Sequence, residues 1–354
     1  MIQAAGIDLG GTKSEVQLFD QDWKLVEKRR DKTPATYDEL VALLSEQVMW
    51  ASGQAGRPVP IGLGAAGLLY PDGTSCTANL SANGKPLLAD IKAKSGRDLK
   101  HTNDCRALAL SEAIFGAGKG YGQVMALILG TGVGGGITTN GQLREGPVGT
   151  GGEFGHVPAA AAIVQKYNLP ILQCGCGRQG CVETYITGPG LTGMAQALIG
   201  QPLKPEDISA RKAVDPHVAH VWQVWTEMTA ELLLMLVQVC DPDLIVIAGG
   251  LSQIPGVTED LIRAYEATQI KGFGRPEIVL AEGGDASGAR GAAYAAVLES
   301  MPSEGAPSEG SPSGGSPSEG SSSGGSPSEG SSSEGATFEG VTFEGSIFEG
   351  SSRA

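Results

Sequence analysis

A glycine-rich turn between two strand patterns occurs twice in this chain, and it is the feature that most constrains the fold. AAGIDL (4–9) predicts a buried strand, GGTK a tight turn, and SEVQLFD (14–20) a strand that returns from it. The same order recurs in VMALILGTGVGGGITTNGQL (124–143). A long helical pattern at about 215–240 then leads to DLIVIAGG (243–250), a strand that ends in paired glycines. This pattern predicts an α/β fold with two lobes and a cleft between them.

The composition changes abruptly after Met301. From Pro302 onward the chain repeats Pro, Ser, Glu and Gly with a period of five residues, and it ends in TFEGV, TFEGS and IFEGS. Such a segment has too few apolar side chains to offset the entropy lost on ordering it. We therefore expect 302–354 to be a disordered tail. Its eight Glu and one Arg account for about half of the formal charge of −14.

The first 300 residues are enough for a large core and more than one lobe. We expect an N-terminal α/β lobe at 1–118, joined by a C-terminal helix at about 284–300, and a C-terminal lobe at 119–283. The body is acidic overall, which argues against nucleic acid or an anionic membrane as a partner. Because no signal-peptide pattern is present and the longest apolar run, 232–237, is too short to span a bilayer, we expect a cytoplasmic protein.

Glycine makes up 42 of the first 300 residues, about twice its average usage, which indicates backbone packed closely against phosphates or other backbone. Two stretches, Gly62–Gly67 and Gly130–Gly135, match G-x-G-x-x-G, but neither is followed by a helical pattern, as a dinucleotide-binding fingerprint requires. A Walker loop is excluded as well, because Thr12 stands where that motif needs Lys.

The first turn offers a different phosphate site. Backbone N–H groups in a glycine hairpin can point together at an anion, and Lys13 adds positive charge. Asp8, at the strand end, can hold magnesium through water. The second turn, Gly130–Gly136, would face the first from the other lobe, so that two hairpins grip a polyphosphate. Glycine hairpins are also common as purely structural turns, and either turn alone leaves both interpretations open.

Over about residues 4–298 the chain resembles the ROK sugar kinases, which have the two-lobed actin/hexokinase-like (ribonuclease H-like) ATPase fold. The stretches that carry the resemblance are DLGGTK (8–13), NDCRALALSEA (103–113), LGTGVGGGI (129–137), GEFGH (152–156), CGCGRQGCVETYITG (174–188) and VIAGGLS (246–252). Within that family, ANLSANGKPLLADI (78–91) and GGDASGARGAA (283–293) are most similar to the bacterial N-acetylglucosamine kinases. The resemblance implies ATP- and Mg²⁺-dependent phosphorylation of N-acetyl-D-glucosamine at the 6-hydroxyl, and a homodimer.

The resemblance also implies a role for individual residues. Asp104 would be the base that takes the proton of the sugar 6-hydroxyl. The residues expected to bind the sugar are Asn79, Asn103, Asp104, Glu153, His156 and Glu183. Those expected to bind ATP are Asp8, Gly10, Gly11, Thr12, Lys13, Gly132, Val133, Gly134, Gly135, Gly136, Gly249 and Gly250. The family's NDA-N motif appears here as Asn103-Asp104-Cys105-Arg106, and the two changed positions follow the catalytic pair.

Three of the six cysteines lie within eight residues, a spacing that predicts metal or redox chemistry rather than a disulfide framework. Since the family motifs GEFGH and CGCGxxGC are both intact, His156 with Cys174, Cys176 and Cys181 is expected to form a Cys₃His site for tetrahedral zinc. Such a set leaves no open coordination position, so the zinc would be structural. It would fix His156 and the loop that carries Glu183, and thereby shape the sugar pocket.

The choice of sugar depends on one loop. Glucokinases of the family often carry Trp where this chain has Ser81-Ala82-Asn83-Gly84, and small residues leave room for an acetamido group at C2. A glucokinase or an N-acetylmannosamine kinase on the same scaffold is an alternative, and a non-catalytic sugar sensor is another. The intact Asp104 and Gly10–Lys13 disfavour a sensor. ROK repressors carry a helix-turn-helix ahead of the kinase-like part, whereas this chain starts directly at the first strand.

Overall fold

The computed structural model describes residues 1–301, with the backbone alone at Asp285, so the predicted disordered tail at 302–354 lies outside the described residues. Within this range, ten of the strands form two five-stranded sheets and the other two form a small hairpin. The strands are β1 Ile2–Leu9, β2 Lys13–Asp20, β3 Leu25–Lys32, β4 Ile61–Ala65, β5 Leu68–Leu69, β6 Ser75–Cys76, β7 Lys100–Asn103, β8 Gln123–Leu129, β9 Val133–Thr139, β10 Gln142–Leu143, β11 Leu244–Ala248 and β12 Glu277–Leu280.

Ten α-helices and three short 3₁₀ turns connect and cover these sheets in the described range. The helices are α1 Tyr37–Ala55, α2 Leu87–Ser95, α3 Asp104–Phe115, α4 Ala161–Lys166, α5 Glu183–Ile186, α6 Gly188–Ile199, α7 Pro205–Arg211, α8 Pro216–Cys240, α9 Val257–Thr268 and α10 Ser287–Ser300. None of the helices within residues 1–301 combines the length and hydrophobicity that a membrane-spanning segment needs.

The first sheet has the order β3-β2-β1-β4-β7. β1 and β2 form an antiparallel hairpin, and β1, β4 and β7 run parallel, with Leu9 paired to Ala65 and Ala65 paired to Asn103. The carboxyl ends of these parallel strands therefore meet at one edge. The glycine turn after β1 and Asp104 after β7 share this edge, about 10 Å apart across two strand spacings.

The second sheet repeats this plan in the order β10-β9-β8-β11-β12. β8 and β9 form the antiparallel hairpin, and β8, β11 and β12 run parallel. Leu129 pairs with Val133 across the hairpin, and Ala248 pairs with Ile128. The turn Gly130–Gly132 and the glycine pair after Ala248 thus lie at one edge of this sheet, which confirms the repeated plan predicted from the sequence.

Two central helices link the sheets, because α10 packs on β1 and β4, α3 packs on β8 and β9, and the two helices contact each other. Glycine permits this close approach. A Cβ atom at Gly62 would lie 1.9 Å from the Ala292 carbonyl oxygen, and one at Gly291 would lie 1.7 Å from the carbonyl oxygen of Ala107. Part of the unusual glycine content is therefore explained by backbone packed against backbone.

The long helix predicted at about 215–240 is α8. It begins after Asp215, whose side chain accepts hydrogen bonds from the N–H groups of His217 and Val218, and Pro216 occupies its first turn. α8 lies in the largest apolar core, with α6 and α9 packed against it. Trp225 is fully buried there, stacks on Trp222, and donates its indole N–H to a backbone carbonyl.

Candidate active site

The turn between β1 and β2 presents unpaired backbone donors. The Gly10 N–H donates to the Lys13 carbonyl (2.9 Å), and the Thr33 hydroxyl donates to the carbonyl of Gly10 (2.7 Å). Gly11 and Thr12 are exposed, and residues 1–301 supply no hydrogen-bond acceptor for their N–H groups. Two free N–H groups beside a lysine at an exposed turn form an arrangement suited to an anion.

Asp8 lies at the end of β1, beside this turn. Burial raises its pKa, the charge of Lys13 opposes that shift, and repulsion from Asp104 and Glu15 adds to it. A Cβ atom built at Gly288, in the first turn of α10, would lie 3.2 Å from Asp8 Oδ1. The Asp8 carboxyl group therefore sits between the anion-binding turn, a helix N-terminus and a second acidic group, which suits a carboxylate that binds a divalent cation through water.

Asp104 is the first residue of α3 and follows β7 directly. Its Oδ1 accepts a hydrogen bond from the Cys105 N–H (2.9 Å), and the Cys105 thiol is a second donor to the same carboxylate. Burial raises the pKa of Asp104, although the hydrogen bonds from Cys105 lower it in part. The carboxylate is thus held at the start of α3 by Cys105, and a raised pKa favours its acceptance of a proton.

Asn103 caps α3 and so fixes the orientation of Asp104. Its Oδ1 accepts from the N–H groups of Cys105 (3.0 Å) and Arg106 (3.3 Å), and its Nδ2 donates to the Gly67 carbonyl (3.1 Å). The acceptor of this amide is therefore committed to the helix cap. For the sugar contact predicted at Asn103, only the second N–H of Nδ2 is left to donate.

Glu153, His156 and Glu183 come together with Asp104. Glu153 Oε2 lies 3.9 Å from His156 Nε2, and Glu183 Oε2 accepts from the Val133 N–H (2.9 Å). Burial raises the pKa of Glu153, and repulsion from Asp104 and Glu183 adds to that shift, while neighbouring cationic side chains oppose it. Three acidic side chains and an imidazole grouped in this way can bind several hydroxyl groups of one small ligand.

The second glycine stretch divides into an exposed turn and a packed strand. Gly130–Gly132 form the turn, and the Val133 N–H is used by Glu183. The next three glycines lie within β9 and pack against other parts of the protein. A Cβ atom built at Gly134 would lie 2.9 Å from Cys105 Sγ, one at Gly135 would lie 2.6 Å from the Phe154 ring, and one at Gly136 would lie 2.8 Å from Ala109 Cβ. Their lack of side chains is explained by packing, and the part of this stretch that faces solvent is the turn.

The other predicted ligand-binding residues lie next to these turns. Gly249 has φ of 90°, and a Cβ atom there would lie 2.4 Å from the Leu129 carbonyl oxygen, so that only glycine fits at this end of β11. Gly250, in contrast, has open space where its Cβ atom would be. Asn79 is exposed, and its carbonyl oxygen would lie 3.1 Å from a Cβ atom at Gly11. Asn79 therefore borders the first turn.

The predicted zinc ligands are assembled in space. One donor atom from each of His156, Cys174, Cys176 and Cys181 lies within 4.8 Å of all the others. The distances are 3.6 Å from Cys174 Sγ to His156 Nδ1 and 3.6 Å between the sulfurs of Cys176 and Cys181. A tetrahedron with Zn–S bonds of about 2.3 Å has edges of about 3.7 Å, so these residues fit zinc. His156 turns Nδ1 to the thiols and Nε2 to Glu153.

One buried residue near the site was not found from the sequence. Glu112, in α3, is fully buried and accepts hydrogen bonds from the N–H groups of Glu282 (3.0 Å) and Gly283 (2.8 Å) and from the Ser287 hydroxyl (2.9 Å). It thereby fixes the segment that begins α10, whose first turn faces Asp8. An acidic residue inside the apolar helical pattern ALALSEAIF was the available signal.

Comparison with known proteins supports the same assignment of fold. The ROK family domain matches residues 4–298, and the chain belongs to the ROK family. The N-acetylgalactosamine kinase of Shewanella sp. strain ANA-3 is 38% identical over 291 residues, which cover 81% of this chain and 94% of that protein. The N-acetyl-D-glucosamine kinase of Escherichia coli O127:H6 is also 38% identical, over 296 residues that cover 82% of this chain and 97% of the relative.

Two solved structures confirm the predicted α/β fold class. The ROK hexokinase of Thermus thermophilus superposes with a TM-score of 0.75 at 30% identity, covering 84% of this chain and 99% of its own. The ROK glucokinase of Streptomyces griseus, solved with glucose and AMPPNP, gives a TM-score of 0.67 at 27% identity, with 84% and 100% coverage. The fold is that of the actin/hexokinase-like ATPases.

Proposed function

We propose that this chain is an ATP-dependent kinase that phosphorylates N-acetyl-D-glucosamine at its 6-hydroxyl, with Asp104 as the base. The observation that carries the proposal is the position of the Asp104 carboxylate. It begins α3 with one oxygen held by the Cys105 N–H, and it lies at the same sheet edge as the turn with free N–H groups at Gly11 and Thr12. Relatives that act on N-acetylated hexosamines support this choice of substrate class.

On this proposal, the two hairpins hold the nucleotide. The N–H groups of Gly11 and Thr12 and the amine of Lys13 bind phosphate oxygens, and the adenosine lies against Gly250, where open space is available. Asp8 would hold Mg²⁺ through water. When bound, Mg²⁺ neutralises the negative charge that phosphoryl transfer concentrates on the phosphate oxygens.

Asp104 then acts on the acceptor. Its carboxylate takes the proton of the sugar 6-hydroxyl as the sugar O6 bonds to the terminal phosphorus and the bond between that phosphorus and ADP breaks, which leaves ADP and N-acetyl-D-glucosamine 6-phosphate as products. Glu153, His156 and Glu183 bind the remaining hydroxyl groups. Because an unmatched sugar would leave these polar groups unpaired, the site discriminates strongly between epimers.

The four-residue Cys₃His set would hold a structural zinc ion. Its residues orient His156 so that Nε2 faces Glu153 and the sugar. Glu183 joins the same region to the second turn, since it follows Cys181 by two residues and its Oε2 accepts from the Val133 N–H. The proposed metal ligands, the sugar-binding residues and the nucleotide turn are therefore linked by adjacent residues and hydrogen bonds.

A second candidate substrate is N-acetyl-D-galactosamine, because a kinase for that sugar is as similar to this chain as the N-acetylglucosamine kinase is. The two sugars differ at C4, where a hydrogen bond from the site decides between them. An ATP-dependent assay with both sugars, N-acetylmannosamine, glucose and fructose tests the proposal. We expect the highest kcat/KM with N-acetylglucosamine, and a chain that phosphorylates none of them would contradict the kinase assignment.

Substitution of Asp104 tests the proposed base. Asp104→Asn should keep the fold and the sugar affinity but lower kcat by about 10²- to 10⁴-fold, the usual contribution of a positioned acid or base. In the wild type, Asp104 must be ionised, and burial raises its pKa above the usual 3.8. The kcat should therefore fall as the pH decreases through this raised pKa. Near-normal turnover by Asp104→Asn would refute the role.

A further inference from the structure

Arg106 is a buried cation, two residues after Asp104, for which the proposed mechanism has no role. It lies in the first turn of α3 and is 6% exposed. Its Nη2 donates to the Gly149 carbonyl (2.6 Å) and lies 3.7 Å from Glu153 Oε1. Its Nε is buried and finds no hydrogen-bond partner within the described residues. Since burying a guanidinium costs free energy unless it is paired, these two contacts are the reason that it can lie there.

One contact holds a loop, and the other holds the residue that follows it. Residues 144–152 connect β10 to the 3₁₀ turn that carries His156, and most of this loop is exposed. The Arg144 N–H donates to a β9 carbonyl (2.9 Å) and so fixes the start of the loop. Arg106 fixes the later part of the loop through Gly149, four residues before Glu153, and faces the Glu153 carboxylate itself. The orientation of Glu153 therefore depends on a side chain from the helix that carries the proposed base.

The surrounding glycines leave a channel that this side chain fills. A Cβ atom at Gly136 would lie 3.0 Å from Arg106 Cα, and one at Gly152 would lie 2.4 Å from the Gly135 carbonyl oxygen and 3.5 Å from Arg106 Nε. Gly152 also has φ of 96°, a conformation that favours glycine. The Arg106 side chain thus passes between β9 and the loop with little free space, and its guanidinium has a defined position.

We propose that Arg106 is a positioning residue that holds Glu153 and the end of the 144–152 loop in the orientation that sugar binding requires. The inference rests on the proposed function, in which Glu153 binds a sugar hydroxyl. A planar guanidinium that bonds a carbonyl and faces a carboxylate restrains both groups at once, which an ammonium group cannot do with the same geometry. Arg106 acts through Glu153 and has no part in proton or phosphoryl transfer.

The test compares full-length wild type with Arg106→Met and Arg106→Lys, with KM for N-acetylglucosamine, KM for ATP and kcat measured separately. Arg106→Met should raise the sugar KM by about tenfold or more, as is usual when the partner that orients a binding group is removed, and leave the ATP KM unchanged. Arg106→Lys should raise the sugar KM by a smaller factor, because lysine keeps the positive charge but lacks the planar arrangement of guanidinium donors. If Arg106→Met does not fold, an unchanged sugar KM in Arg106→Lys would overturn the inference.

Arg97 offers a matched control, because it also donates to a backbone carbonyl (Val59, 2.7 Å) and also has a buried, unpartnered Nε. Arg97→Met should lower the Tm without raising the sugar KM. A double variant with Glu153→Gln adds a second readout: if Arg106 acts through Glu153, the sugar KM of Arg106→Met/Glu153→Gln should not exceed that of the worse single variant.

The outcomes separate this inference from the proposed function. A wild type that phosphorylates no hexose contradicts the proposed function. An active wild type overturns the inference alone in any of three cases: if Arg106→Met keeps the wild-type sugar KM, if it raises the ATP KM as much as the sugar KM, or if the effects of the two single substitutions multiply in the double variant.

Discussion

The two glycine stretches that look alike in the sequence meet different physical demands. At Gly10, in the first turn, the nearest protein atom to a built Cβ atom is 3.6 Å away, an ordinary contact, and its φ is not in the left-handed region. At Gly135, in the second stretch, a Cβ atom would lie 2.1 Å from the Ala126 carbonyl oxygen. Protein packing thus requires glycine at 135 and does not require it at 10.

This difference separates the glycines that protein packing requires from those that it does not require. At a predicted ligand-binding turn where packing and backbone conformation both permit a side chain, contact with the ligand is the reason for glycine that is left to test. Gly10 and Gly250 belong to this class, whereas Gly134, Gly135 and Gly249 do not. The comparison therefore divides the predicted ATP-binding residues into those whose substitution should affect binding and those whose substitution should affect folding.

The largest effect is expected from Gly135→Ala. The added methyl group meets the backbone of the neighbouring strand and the Phe154 ring, and overpacking of this kind should lower the free energy of unfolding by about 3 kcal/mol. Thermal unfolding measures it, with Gly193→Ala in α6 as the control, because no atom lies within 4 Å of a Cβ atom there. An unchanged Tm together with a raised ATP KM would reverse the assignment of Gly135.

Zinc removal should distinguish the two turns. Glu183, two residues after the proposed zinc ligand Cys181, accepts from the Val133 N–H, whereas the first turn has its hydrogen bonds within the β1–β2 hairpin and to Thr33. Cys176→Ser, or chelation of the wild type, should therefore raise the sugar KM by about 10- to 100-fold. Amide hydrogen exchange should become faster at Val133 and stay unchanged at Gly10.

Two results would contradict that prediction. Metal analysis of the purified wild type that finds no zinc would remove its basis. Equal acceleration of exchange in both turns would show that the metal supports the whole body rather than the second turn. Cys240→Ser is the matched control, since Cys240 is a partly buried thiol at the end of α8 and outside the Cys₃His set.

The strands could be predicted because their signals are local, whereas Asp104 was predicted as the base from the resemblance to the ROK sugar kinases. Apolar runs at 4–9 and 243–250 correspond to Ile2–Leu9 and Leu244–Ala248. The boundary between β7 and α3 could likewise be read at Asp104, where a short strand pattern meets a helical one. The periodicity of a few neighbouring residues is enough for such predictions.

The long-range contacts could not be predicted in the same way. Glu112 bonds Ser287 across 175 positions of the sequence, and Arg106 reaches Gly149 across 43. No local pattern indicates which buried charge meets which loop, because those pairings follow from the packing of α3 against α10 and β9. For the same reason, the sequence could not show that the glycines of β9, predicted to bind phosphate, pack against neighbouring protein atoms.

Gly10→Ala tests the ligand-facing class directly. The substitution should leave the Tm close to that of the wild type, because no protein atom opposes the methyl group. It should raise the ATP KM by about tenfold, since a methyl group forced against a phosphate costs about 1–3 kcal/mol in a close contact. Gly274→Ala, at an exposed glycine with open space, controls for the loss of glycine itself. An unaltered ATP KM would show that the first turn does not contact the nucleotide.

The smallest effect, and the one that calibrates the comparison, is expected at Gly53. It is an exposed residue of α1, and apart from the backbone of its own helix no atom lies within 4 Å of its built Cβ atom. With neither packing nor a ligand to require glycine, Gly53→Ala should stabilise the protein by about 0.5–1 kcal/mol through helix propensity and the reduced entropy of the unfolded chain. Thermal unfolding should show a slightly higher Tm with unchanged KM values. A lower Tm would mean that open space around a built Cβ atom is an insufficient criterion, and the assignment of Gly10 to a ligand would lose its support.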